Sequence, residues 1–180
     1  GMDGTYSQNG LKNLQLSNDF GVLDASKPFM PFGSQPKKDA GFVIGHKEIF
    51  SKKNASIKLN IEWAELPGDE NNIRYDANNS PTTANVQASV PTVMPSFLDS
   101  GIWQSYSLDN TAIFDSTNAN VSIFNPAQPI PSGSIVDYNA EYTGLKSASV
   151  NGFLRLTLAD SFGHNEYIKD LSLSLIEKVP

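Results

Sequence analysis

There is no cysteine among the 180 residues, which excludes disulfides, thiolate metal sites and a cysteine nucleophile and leaves stability to packing. Arginine is scarce too. Only Arg74 and Arg155 occur, and the formal net charge is −6, so the concentrated positive charge that a phosphate backbone requires is missing and nucleic acid is not an expected partner. Histidine is limited to His46 and His164, and neither has an H-x-x-x-H partner. That leaves little scope for a zinc site or a Ser-His-Asp triad. No G-x-S-x-G elbow occurs. No apolar run reaches the roughly 20 residues that cross a bilayer, and the first residues lack the charged and apolar regions of a signal peptide. The expectation is therefore a chain with no catalytic constellation, no metal, no cofactor and no membrane span. Gly1 before Met2 has the form of a tag scar, so one domain (1–180) excised from a longer protein is expected.

What the chain does have is a period of two. Ile57, Leu59, Ile61 and Trp63 alternate with Ser56, Lys58, Asn60 and Glu62, the pattern of a half-buried strand. Leu171, Leu173 and Leu175 alternate with serines, and Phe153, Leu154, Leu156 and Leu158 surround Arg155 and Thr157. These two runs are expected to be neighbouring strands, with residues 159–165 as their connection. Further strands are expected at 15–23, 41–44, 85–90, 102–108, 119–124 and 135–142. Helix is confined to one short candidate, 46–53. Pro28, Pro31 and Pro36 mark one connection, Pro126, Pro129 and Pro131 another, and 67–84 has the composition of a long exposed loop. The fold class is all-β with little helix: an antiparallel β-sandwich, of which a jelly roll is one form.

Several polar groupings are candidate sites. Asp109, Asp115, Asn118 and Asn120 are hard oxygen ligands in one region, but the EF-hand order and its glycine are missing. Asp69, Glu70 and Asp76 sit in an Asn-rich segment where solvation explains them. Asp19-Phe20-Gly21 matches a kinase tripeptide without the glycine-rich and catalytic loops that give it meaning. Asn54, Asn78 and Asn120 open N-x-S sequons, which matter only in a glycosylating pathway. Paired carboxylates of a glycosidase leave no local signature. Among the aromatics, Trp103, Tyr106 and Tyr138 are the candidates for stacking a sugar ring, whereas Trp63 continues an apolar face and belongs to a core.

A sequence of longer phrases adds a resemblance. Pro28-Phe29-Met30-Pro31-Phe32-Gly33-Ser34-Gln35-Pro36 is followed by the stretch 41–52, then by the strand ending in Trp63 and by Leu66-Pro67. Leu98-Asp99-Ser100-Gly101-Ile102-Trp103 and Ile113-Phe114 come next. Last are Gly152-Phe153-Leu154-Arg155-Leu156-Thr157-Leu158, Phe162-Gly163-His164 and Tyr167. In this order they resemble the P-F-G-x-x-P, L-x-D-G-x-W, G-F-I-R-L-x-L and F-G-H-x-x-Y phrases of the large baseplate J-like proteins of contractile injection systems. The tyrosine-rich stretch expected after Leu-Pro is reduced to Ile73-Arg74-Tyr75.

The resemblance implies an internal module of a phage-tail-like baseplate, assembled in the cytoplasm and acting by binding neighbouring protein subunits. Pro31, Phe32, Gly33, Pro36, Gly45, Trp63, Trp103, Gly152, Phe153, Arg155, Phe162, Gly163 and His164 are then fold-determining residues rather than reactive ones. A carbohydrate- or cell-surface-binding module is the alternative that the same architecture accommodates.

Overall fold

The structure, a computed structural model, describes residues 4–11, 14–46, 55–64, 91–99, 101–105, 108–113, 119–124, 152–161 and 166–179. Among these there are eleven strands and no helix. In chain order they are β1 (Gly4–Leu11), β2 (Gln15–Asn18), β3 (Gly21–Val22), β4 (Gly41–Gly45), β5 (Ala55–Trp63) and β6 (Thr92–Asp99). Then follow β7 (Ile102–Gln104), β8 (Thr111–Ala112), β9 (Ala119–Phe124), β10 (Phe153–Leu158) and β11 (Ile168–Val179). Four strands form one sheet in the order β1-β11-β5-β9. Seven form the other, β3-β2-β4-β10-β6-β7, with β8 also paired to β6. Every pairing is antiparallel.

Period-two alternation makes each sheet apolar on one face, and burying that face against another sheet removes it from water. Ile57, Leu59, Ile61 and Trp63 of the four-stranded sheet meet Phe42, Ile44, Leu154 and Leu156 of the seven-stranded sheet in one continuous core. The fold is therefore all-β and sandwich-like. The proline-rich connection laces the two sheets together. Phe29 exchanges two backbone hydrogen bonds with Ile168 at 3.1 and 2.7 Å, and Phe29 and Phe32 pack their rings against Phe42 at centroid distances of 6.0 and 6.1 Å. Pro31 and Pro36 are buried beside them.

Three expectations are corrected. The runs at 153–158 and 171–175 are not neighbours: β10 lies between β4 and β6, while β11 lies between β1 and β5 in the other sheet. Alternation says which face of a strand is buried, and it is silent on the partner. Residues 15–23 are not one strand but the β2–β3 hairpin, with Asn18 opposite Gly21. The strand expected over 102–108 stops at Gln104. Among the other expectations, 57–63, 41–44 and 119–124 correspond to β5, β4 and β9. The strands at 85–90 and 135–142, the helix at 46–53 beyond His46, the loop at 67–84 and Pro126, Pro129 and Pro131 lie outside the described residues.

β6 carries Pro95 in its middle, where a ladder donor is missing. On one side Pro95 stands opposite Leu156. On the other it falls between two separate registers, Thr92 and Val93 with β8 and Phe97 to Asp99 with β7. The second ladder is interrupted where proline has no N–H to give it. Gly101, at φ 83°, supplies the left-handed residue of the tight turn from β6 into β7.

Candidate functional site

The face of the seven-stranded sheet turned away from the core gathers the residues of most chemical interest. Leu154 and Leu156 point inward from β10, so Phe153, Arg155 and Thr157 point outward. Val43 of β4 and Ser96 of β6 are the cross-strand partners of Arg155. Trp103 of β7 is the partner of Leu98, the next outward residue of β6. Val43, Leu98 and Phe153, with Trp103 against them, form a second small apolar cluster on this face.

Arg155 organises the polar part. Its guanidinium carbon lies 4.8 Å from the centroid of the Trp103 ring, a separation at which the ring quadrupole attracts the cation. On the far side its aliphatic stem passes Gly41, where an added Cβ would be 3.4 Å from Cδ of Arg155 and 3.5 Å from Oδ1 of Asp19. The other oxygen of Asp19, Oδ2, accepts the Gly41 N–H at 3.2 Å. Burial pushes the guanidinium below the ordinary arginine value, and the Asp19 charge partly offsets this. Arg155 Nε, Trp103 Nε1 and Ser96 Oγ are all buried with no hydrogen-bond partner. The set comprises a stacked cation, an indole and a hydroxyl. It can orient and lock neighbouring strands.

The remaining fold-determining candidates divide clearly. Trp63 is 1% exposed, and its Nε1 donates to the Ile113 carbonyl at 3.1 Å. Phe32 and Phe153 are buried. Gly33 and Gly152 have φ values of 84° and 100°, which favour glycine, and Gly45 closes β4. Phe162, Gly163 and His164, and the stacking candidates Tyr106 and Tyr138, lie outside the described residues. So do Asp69, Glu70, Asp76, Asp115 and Asn118. Asp109 is exposed, and its carbonyl accepts from Thr111 Oγ1 at 3.2 Å. Among the described residues no group of three or more His, Asp or Glu gathers around a common point, and no helix is long and apolar enough to cross a membrane.

The sequence presents Asp19 and Phe20 only as part of a chance kinase-like tripeptide, and it gives Ser96 no signal at all. Asp19 and Phe20 form the turn between β2 and β3. Asn18 Oδ1 accepts the Phe20 N–H at 2.8 Å, and Asn18 Nδ2 donates to the Met30 carbonyl at 3.2 Å. The kinase-like tripeptide is thus a pinned hairpin turn. The signal was available, because an Asn with Gly three residues later between apolar segments is turn chemistry. A scan of protein-family models and a search of curated proteins gave no match to this chain.

Proposed function

We propose that this chain is a non-catalytic structural and interaction domain of a phage-tail-like baseplate, acting by binding other protein subunits of the assembly. The observation that carries the reading is the Arg155–Trp103 stack. Trp103 is one of the three candidates for a sugar platform, yet the guanidinium occupies a face of its ring. Arg155 itself spans three strands of one sheet as a structural pin. The residues behind the baseplate resemblance have the same character, with Phe32, Trp63 and Phe153 buried and Gly33 and Gly152 in left-handed turns. Such roles suit a rigid scaffold whose work is done by its outer surfaces.

The test is to tag the chain in its native host, purify contractile tail particles and look for it by mass spectrometry and labelled electron microscopy. The expected result is a fixed number of copies in the baseplate, with sheath, tube and spike genes beside its own. Absence from purified particles would overturn the reading. Glycan-array binding by the isolated domain, lost on Trp103→Ala, would favour the carbohydrate module instead.

A further inference from the structure

Arg155 has two partners within reach and uses one. Its guanidinium is stacked on Trp103 at 4.8 Å, while the carboxylate whose charge it feels is that of Asp19. Among the described residues no ion pair joins Arg155 and Asp19. The carboxylate is close all the same. Cδ of Arg155 and Oδ1 of Asp19 border one spot beside Gly41, at 3.4 and 3.5 Å from where a Cβ would stand. Oδ2 of Asp19 holds the Gly41 N–H at 3.2 Å, which leaves Oδ1 to face the arginine stem. The bonds beyond Cδ turn between staggered positions, so the guanidinium can leave the ring and meet Oδ1 while the stem stays in place.

The two positions differ little in energy. A cation over an indole in a partly desolvated setting gains more than an ion pair to an exposed carboxylate such as Asp19, which water and salt screen. The stack therefore wins while Trp103 is in place. Trp103 itself is weakly anchored, because β7 has three residues and lies at the edge of its sheet, paired to β6. Short edge elements open at low cost.

We infer that Arg155 is a two-position arm, stacked on Trp103 in this structure and paired with Asp19 whenever Trp103 is drawn out of the stack. The second position adds a charge-assisted clamp to a carboxylate that already holds β4 through Gly41. Loosening of β7 at one edge of the sheet then tightens the β2–β3 turn toward the other. The sign separates this arm from a passive pin, which on losing Trp103 would let its other neighbours loosen too. This inference goes beyond the baseplate reading and does not depend on it.

Amide hydrogen exchange at Gly41 reads the clamp. Ile44 of the same strand serves as internal reference, so that a general loss of stability is not mistaken for the effect. In Trp103→Leu, exchange of Gly41 relative to Ile44 should slow by roughly two- to fivefold, the size of one exposed ion pair. The slowing should vanish in the double variant Trp103→Leu with Arg155→Met, which has no cation at this position, and fade in about 1 M salt. Trp103→Thr, whose side chain suits an edge strand, gives the same comparison should the leucine variant not melt cooperatively. A crystal structure of either single variant is an independent readout, with a guanidinium nitrogen expected within about 4 Å of an Asp19 oxygen. Gly41 exchange that is unchanged or faster without Trp103, slowing that survives Arg155→Met, or a guanidinium left in its present position would overturn the inference.

Discussion

Arg155 of β10 reaches across β6 to stack on Trp103 of β7, with 4.8 Å between the guanidinium carbon and the ring centroid. The Trp103 ring provides the attraction that the unpaired Nε of Arg155 lacks. In a partly desolvated setting such a pair is worth about 0.5–2 kcal/mol. A double-mutant cycle with Arg155→Met and Trp103→Leu, read by urea unfolding, should therefore give a coupling energy in that range. Strictly additive single effects would show that the two side chains merely lie side by side.

The two tryptophans of the chain should behave as different reporters. Trp63 is sealed in the core, with its indole N–H on the Ile113 carbonyl, whereas Trp103 is half-buried. Acrylamide should quench the Trp63→Phe variant, which retains Trp103, more strongly than the Trp103→Phe variant. Trp63→Phe also leaves the Ile113 carbonyl without its donor, at a cost of about 1–3 kcal/mol before any packing loss. Equal quenching, or a Trp63→Phe protein as stable as wild type, would contradict the burial of Trp63.

Much of this arrangement was legible in the sequence, and what escaped did so for physical reasons. Ile57 to Trp63 announced a strand and its buried face, because side-chain alternation is a local property. The partner of a strand is not local. Leu154 to Leu158 and Leu171 to Leu175 carry the same pattern, and nothing in it assigns them to opposite sheets. Pro95 concealed β6, since proline argues against an interior strand unless its missing N–H faces a break in the ladder. The Trp103 stack was equally out of reach, because Arg155 is 52 positions away along the chain and the two meet only through the register of β6. Phe20 was hidden by its context, a tripeptide that resembled something else.

The β2–β3 turn gives a sharper test of how Phe20 is held. Asn18 uses its oxygen on the Phe20 N–H and its nitrogen on the Met30 carbonyl, and it is 6% exposed. Asn18→Ala removes both bonds and should destabilise the protein by about 1–3 kcal/mol. Asn18→Asp keeps the acceptor and loses the donor. Hydrogen exchange of the Phe20 amide should therefore accelerate strongly in Asn18→Ala and much less in Asn18→Asp. Identical exchange in the two variants would mean that the side-chain oxygen does not hold the turn.

Asp24 provides a prediction with a defined sign in pH. The Ser26 hydroxyl at 2.7 Å and the Ser26 N–H at 2.9 Å both donate to Oδ1 of Asp24, and Lys27 lies 3.9 Å from Oδ2. Each favours the carboxylate, so Asp24 titrates below the ordinary aspartate value of 3.8, with the Ser26 hydroxyl as the largest cause. Because the folded value is the depressed one, the stabilisation is fully present above 3.8 and disappears as the pH falls through the folded value. Near neutral pH the group is ionised in folded and unfolded chains alike and adds no slope. Carbon-detected NMR titration of the Asp24 carboxyl should give a midpoint under 3.8 in the wild type. In Ser26→Ala the midpoint should rise only part of the way back, since the backbone N–H remains. An unchanged midpoint in Ser26→Ala would assign the shift to the backbone N–H and Lys27, and would remove the hydroxyl from the account of this turn.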